Sequence, residues 1–226
     1  MAFEGEIYGE DYFTSTYPAY FRQNPARKLE FYRSIVERNM PTHRPVRVLD
    51  IGCGLAGFLA CLRERDPNRL MLDLTGVDLS EFAIRTNTAK YPNEKFAVCR
   101  AEDVAEMGQT FDVVTAFDIL EHLQDPDQAA DAISRSLSAE GTCIFVVPVY
   151  DGPLGPLVRL LDKDETHVQL RSRRWWLDWA SGRFTVTGWQ GVFRLLTPWH
   201  QYIHAPTRAL RRIAPAVLIT ATNRRT

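Results

Sequence analysis

Cysteine is scarce, and Cys53, Cys61, Cys99 and Cys143 form neither a C-x-x-C pair nor a zinc spacing, so nothing in their pattern asks for a disulfide framework or a metal. Reduced, structural thiols are expected. No stretch approaches the ~18 apolar residues of a membrane span, and the opening MAFEGEIYGEDYF lacks the basic region and apolar core of a secretory signal. A cytoplasmic protein is expected. Charge of one sign is also missing: 27 Lys and Arg stand against 28 Asp and Glu, a formal net charge of −1. That balance argues against a nucleic-acid partner, which needs a basic footprint. Internal repeats, low-complexity tracts and domain linkers are absent too.

What remains is the composition of one folded α/β domain, with 45% hydrophobic and 24% charged residues in 226. The chain is organised around VRVLDIGCGLAG, Val46 to Gly57. Its short apolar run reads as a buried parallel strand that ends at Asp50 and three glycines. Phe58, Leu59 and Leu62 then recur at helical spacing. Glycines in such a turn let a ligand approach the backbone closely, and unpaired N–H groups are expected to face it. Gly52, Gly54 and Gly57 fit the dinucleotide pattern G-x-G-x-x-G, with Asp78 at the distance of its ribose-binding acid. The glycines alone do not separate cofactor classes. Asp50 does, because a carboxylate at the strand's end repels a pyrophosphate and attracts a ligand carrying an ammonium and a sulfonium, as S-adenosylmethionine does.

VLDIGCG at Val48 to Gly54, GVDLS at Gly76 to Ser80 and FDVVTAFDILEHLQDP at Phe111 to Pro126 resemble, in order and spacing, the class I S-adenosylmethionine-dependent methyltransferases. The similarity is greatest to the small-molecule branch that includes the ubiquinone-biosynthesis O-methyltransferases. It covers residues 46 to 150, reaches back to Asn24–Tyr32 and fades after Thr166 and His167. The resemblance implies a Rossmann-like, doubly wound α/β fold: a seven-stranded sheet, mostly parallel with an antiparallel last strand, plus an N-terminal helical lid. It implies methyl transfer from S-adenosylmethionine to an oxygen, or a nitrogen, of a small-molecule acceptor by a monomer or homodimer. The implied cofactor site comprises Asp50, Gly52, Cys53, Gly54, Asp78 on the ribose, Leu79 against adenine, Ala101, Glu102, Phe117, and Arg27 on the cofactor carboxylate. Two positions depart from the family: Ala56 replaces a third glycine, and Arg100 replaces an acid that binds the adenine amino group. An arginine has no acceptor, so that contact must move to Glu102, Asp103 or a carbonyl.

His122, delivered with Asp118 and Glu121 by the fourth strand, is the leading candidate base, since a neutral imidazole can take an acceptor proton near pH 7. The alternative is a histidine that only braces the loop. His167 matches a Thr-His pair of the resembling branch and is the second candidate. Asp162, Asp164, Glu165 and His167 have metal-binding side chains without a recognised ligand spacing, so no metal is expected. Tyr12, Tyr17 and Tyr20 are candidates to cap the substrate, although such rings also serve simply as packing. Residues 1–45 read as lid and helix, and 46–226 as the cofactor domain with a substrate cap at 150–170 and 190–213. Within 192–213, aromatic and aliphatic residues mix with arginines, giving a packed helix with a basic face or a membrane-surface patch. Two rival functions stand beside methyl transfer: an NAD(P)-dependent oxidoreductase and a non-catalytic cofactor-binding scaffold.

Overall fold

A computed structural model describes residues 8–13, 25–41, 45–68, 70–162, 164, 166–196 and 202–224. Five strands alternate with helices: α1 (Ala26–Asn39), β1 (Val46–Ile51), α2 (Gly57–Arg63), β2 (Leu72–Asp78), α3 (Glu81–Lys90), β3 (Lys95–Val98), β4 (Phe111–Phe117), α4 (Pro126–Ser136) and β5 (Leu137–Pro148). Then follow α5 (Gly155–Leu161), α6 (Arg173–Arg183), β6 (Phe184–Leu196), β7 (Tyr202–Thr207) and β8 (Ala216–Asn223). Helix starts obey local chemistry. Ser80, Asp125 and Ser172 accept from backbone N–H groups at the starts of α3, α4 and α6, and Pro126 occupies the first turn of α4.

The sheet runs β3-β2-β1-β4-β5-β8-β6-β7. Its first five strands pair in parallel, and β8, β6 and β7 pair antiparallel beyond β5. Eight strands thus replace the expected seven. The difference lies in 192–213, expected as a helix or cap, where β6 runs on to Leu196 and pairs with β7 as an antiparallel ribbon. The pattern of that stretch is non-periodic because its pairing partners are distant in sequence.

Helices cover both faces of the sheet. Tyr32, Ile35 and Val36 of α1 and Phe58, Leu59 and Leu62 of α2 pack on one. Ala129, Ala130 and Ile133 of α4 and Trp176 and Trp179 of α6 pack on the other, so the tryptophan-rich helix is core. With both faces covered, residues 111–116 of β4 are all buried, the signature of a central parallel strand. Among the described residues, no helix is long and apolar enough to cross a membrane.

Candidate active site

Ligands of open α/β sheets bind beyond the carboxyl ends of the strands, where the order reverses, here between β1 and β4. Asp50, near the end of β1, lies opposite Thr115 of β4 and accepts the Thr115 hydroxyl at 2.6 Å. Burial raises its carboxyl pKa to about 7; the Thr115 bond opposes that shift and nearby Asp78 adds to it.

The turn after β1 requires glycine at Gly52. Its φ is +69°, and a Cβ there would sit 2.0 Å from Ile119 Cδ1. Ala56 also adopts a left-handed conformation, φ +57°, at the start of α2. Contrary to expectation, much of the loop's N–H capacity is used internally. Gly52 and Cys53 both donate to Val77 O, Ala56 to Cys53 O, and Gly54 to Asp78 Oδ2 at 2.8 Å. Asp78 Oδ1 accepts Ser80 N at 2.9 Å, so one side chain ties the glycine loop to the start of α3. Burial raises the Asp78 pKa, and these backbone bonds oppose it. Its oxygens keep lone pairs for a ribose.

Leu79 is half-buried beside it, and Ala101 and Glu102 are buried in the turn after β3. The side chain of Arg100 reaches back to Glu102 Oε1 at 3.4 Å. Phe117 stacks on Tyr32, centroids 4.1 Å apart, and meets Phe58 edge-on. Arg27 is exposed on α1, whereas its neighbour Lys28 is buried and pairs with Asp118 at 3.3 Å. Asp118 also pairs with Arg194 of β6. Burial alone would raise the Asp118 pKa, but the two cations hold it well below the carboxylate range. Composition did not single out Lys28, yet its position four before Tyr32 and seven before Ile35, on the buried stripe of α1, was a readable signal.

At the end of β4, the 3₁₀ turn Leu120–His122 brings Glu121 and His122 together. The chain after α5 returns to it: Val168 and Gln169 both donate to Glu121 O at 2.9 Å. His122 and His167 thereby face each other, ring centroids 4.6 Å apart. Their tautomers follow from their partners. Thr166 gives its single hydroxyl proton to Asp164 at 2.5 Å, so at 2.8 Å it accepts from His122 Nδ1. His167 Nδ1 lies 2.7 Å from Asp162 Oδ2, an acceptor that Tyr150 also bonds. Nδ1 of each ring is thereby held, and His167 Nε2 lies 3.9 Å from Asp164 Oδ2. Burial and the neighbouring His167 push His122 down to about 4, and burial with Asp118 pushes Glu121 well up.

Of the four metal-type side chains at 162–167, Asp162 and Asp164 orient the histidine pair through Nδ1 and Thr166; Glu165 lies outside the described residues. Tyr8 stands edge-on to His122 at 6.5 Å and to Tyr12 at 5.1 Å, while buried Phe13 stacks on Phe82 of α3. Tyr17 and Tyr20 lie outside the described residues.

Residues 20–192 match a family model described as a methyltransferase domain. The ubiquinone biosynthesis O-methyltransferase of Neisseria meningitidis serogroup A is 31% identical over 105 residues, 44% of this chain and 42% of that protein. The same enzyme of Agrobacterium fabrum is 31% identical over 148 residues, 54% and 57% of the two chains. The chain spans about half the length of the curated relatives it matches. Among solved structures, PH0226 protein from Pyrococcus horikoshii OT3 superimposes with TM-score 0.67 at 19% identity, over 95% of this chain and 99% of that one. A TehB-like SAM-dependent methyltransferase from Corynebacterium glutamicum does so with TM-score 0.57 at 14% identity, over 85% and 86%. At such identities the likeness is one of fold.

Proposed function

This chain belongs to the methyltransferase-domain family, and on that premise we propose that it transfers a methyl group from S-adenosylmethionine to an oxygen of a small-molecule acceptor. The observation that carries the acceptor half is the facing pair of imidazoles, His122 and His167, ring centroids 4.6 Å apart, held at the same sheet edge as Asp50 and Asp78. The strand-end residues suit the cofactor: two carboxylates favour a cationic ligand, and the ordered glycine loop adds little side-chain bulk. When bound, S-adenosylmethionine supplies a methyl group on a cationic sulfur, so no side chain has to form a covalent bond. Asp50 and Asp78 bind and orient. His122 and His167 align the acceptor and receive its hydroxyl proton. Tyr8, Tyr12 and Phe13 shield the edge from water. Oxygen is favoured over nitrogen because a neutral imidazole suits a hydroxyl proton and because the curated relatives are named O-methyltransferases.

The same proposal places the enzyme in the cytoplasm, with peripheral membrane contact through 192–213. There exposed Ile203, Leu210 and Ile213 stand among Arg208, Arg211 and Arg212. Flotation with anionic but not neutral vesicles tests that contact. The activity is tested with methyl-labelled cofactor and a panel of phenols, alcohols and amines: label in a hydroxyl-bearing product supports the reading, and label in none of them contradicts it.

A further inference from the structure

His122 and His167 are both partly buried with ring centroids 4.6 Å apart, and two imidazolium charges that close repel strongly, so a proton arriving from an acceptor can reside on only one of them. Their partners decide which. His122 gives its Nδ1–H to the Thr166 hydroxyl, a neutral acceptor, and burial together with His167 pushes its pKa down to about 4. Its neutral form prevails near pH 7. His167 stands between two carboxylates, with Asp162 Oδ2 at 2.7 Å from Nδ1 and Asp164 Oδ2 at 3.9 Å from Nε2. A positive charge on that ring has a counter-charge on either side.

We infer that the proton of the acceptor hydroxyl goes to His167 and not to His122, with Asp162 as the positioning residue that holds His167 Nδ1–H and Tyr150 as the residue that holds Asp162. The assignment rests on the methyl-transfer reading and divides between the two rings what that reading gives to both. Asp162 is fixed by the end of α5, where its N–H donates to Val158 O at 2.8 Å and its Oδ1 accepts Asp164 N at 3.2 Å. Its Oδ2 serves Tyr150 and His167: the Tyr150 hydroxyl donates to it and lies 3.1 Å from His167 Nδ1. Burial alone would raise the Asp162 pKa, but the bonds from His167 and Tyr150 hold it below the usual carboxylate range, so the counter-charge stands ready before an acceptor arrives. The ring is pinned from the other side as well. Val168 and Gln169 donate to Glu121 O, and Gln169 Nε2 donates to Leu123 O at 3.0 Å. Glu121 is itself wholly buried, and burial with Asp118 pushes its pKa well up, which favours its neutral form and offers His122 no counter-charge. As transfer proceeds, an oxygen electron pair forms the bond to the methyl carbon, the carbon–sulfur pair stays on sulfur, and the hydroxyl proton passes to His167 Nε2. The sulfonium charge is exchanged for an imidazolium charge, while His122 stays neutral and aligns the acceptor.

The test uses the full chain, methyl-labelled S-adenosylmethionine and two acceptors at pH 7: phenol, whose hydroxyl is neutral there, and pentafluorophenol, which is already ionised and needs no base. On phenol, His167→Ala should lower kcat by about 10²- to 10⁴-fold, Asp162→Asn by about ten- to a hundredfold and the milder Tyr150→Phe by about three- to tenfold. On pentafluorophenol all three should stay within about threefold of wild type, whereas His122→Gln should slow both acceptors alike. Equal losses on the two acceptors in the His167 and Asp162 variants overturn the assignment, because a residue that only braces the loop does not distinguish them. A loss confined to phenol in His122→Gln, with the His167 variant unaffected, overturns it as well. Calorimetry with S-adenosylhomocysteine on the same samples reports the fold and cofactor binding separately from proton transfer. Wild-type transfer without the selective loss in the variants overturns the proton assignment and leaves the methyl-transfer reading standing. No wild-type transfer to either phenol overturns both.

Discussion

Asp78 ties the glycine loop to the start of α3 and is the ribose ligand we propose, so its removal should be visible in two separate measurements. Its carboxylate accepts Gly54 N at 2.8 Å and Ser80 N at 2.9 Å. Each charge-assisted bond is worth about 1.5 to 3 kcal/mol when intact, but the freed N–H groups are rehydrated and the buried carboxylate carries its own desolvation cost. Asp78→Ala should therefore lower unfolding free energy by about 1 to 3 kcal/mol, read from urea denaturation followed by circular dichroism. The proposed ribose contact would be additional. Its loss should weaken S-adenosylhomocysteine binding by roughly ten- to a hundredfold, about 1.5 to 3 kcal/mol, in calorimetry at a temperature where the variant is folded. A 2′-deoxy analogue separates the two effects, because removing the hydroxyl and removing Asp78 should be less than additive if they touch. Full additivity would refute the ribose contact, and unchanged stability would refute the loop tie.

Asp50 should make cofactor affinity pH-dependent. Its folded pKa of about 7 lies above the ordinary value of 3.8, so the apo protein's stabilisation by the protonated form is present below about 4 and is lost as pH rises to about 7. A cationic ligand needs the ionised form, so S-adenosylmethionine affinity should fall about tenfold per unit below pH 7 and flatten in Asp50→Asn; a flat wild-type profile contradicts this. Ala56→Gly should raise stability by about 1 kcal/mol by relieving a left-handed alanine, and a loss in denaturant midpoint would contradict it. Lys28→Met, which leaves Asp118 with Arg194 alone, should cost about 1 to 3 kcal/mol, whereas exposed Arg27→Ala should stay within ~0.5 kcal/mol. Equal effects of the two substitutions in denaturation would contradict the assignment of Lys28 as the inward cation.

Much of this was legible in sequence where the cause is local. Ser80, Asp125 and Ser172 announce their helices, and the apolar run 111–117 announces a central strand. Non-local causes were not legible. The β6–β7 ribbon exists through pairing with β8. In the site, Asp50, Asp78, His122 and His167 were nameable from motif and strand end. That Lys28 turns inward in place of Arg27 depends on one step of helical phase. The orientation of the two rings depends on Thr166 and Asp162, which come from another segment of chain and carry no motif of their own.

The central claim is that the edge beyond β1 and β2 takes S-adenosylmethionine, and calorimetry of the full chain with S-adenosylhomocysteine against NAD and NADP tests it most directly. Saturable, one-to-one binding of S-adenosylhomocysteine with no heat from either dinucleotide is the predicted result. Binding of a dinucleotide without S-adenosylhomocysteine would contradict it.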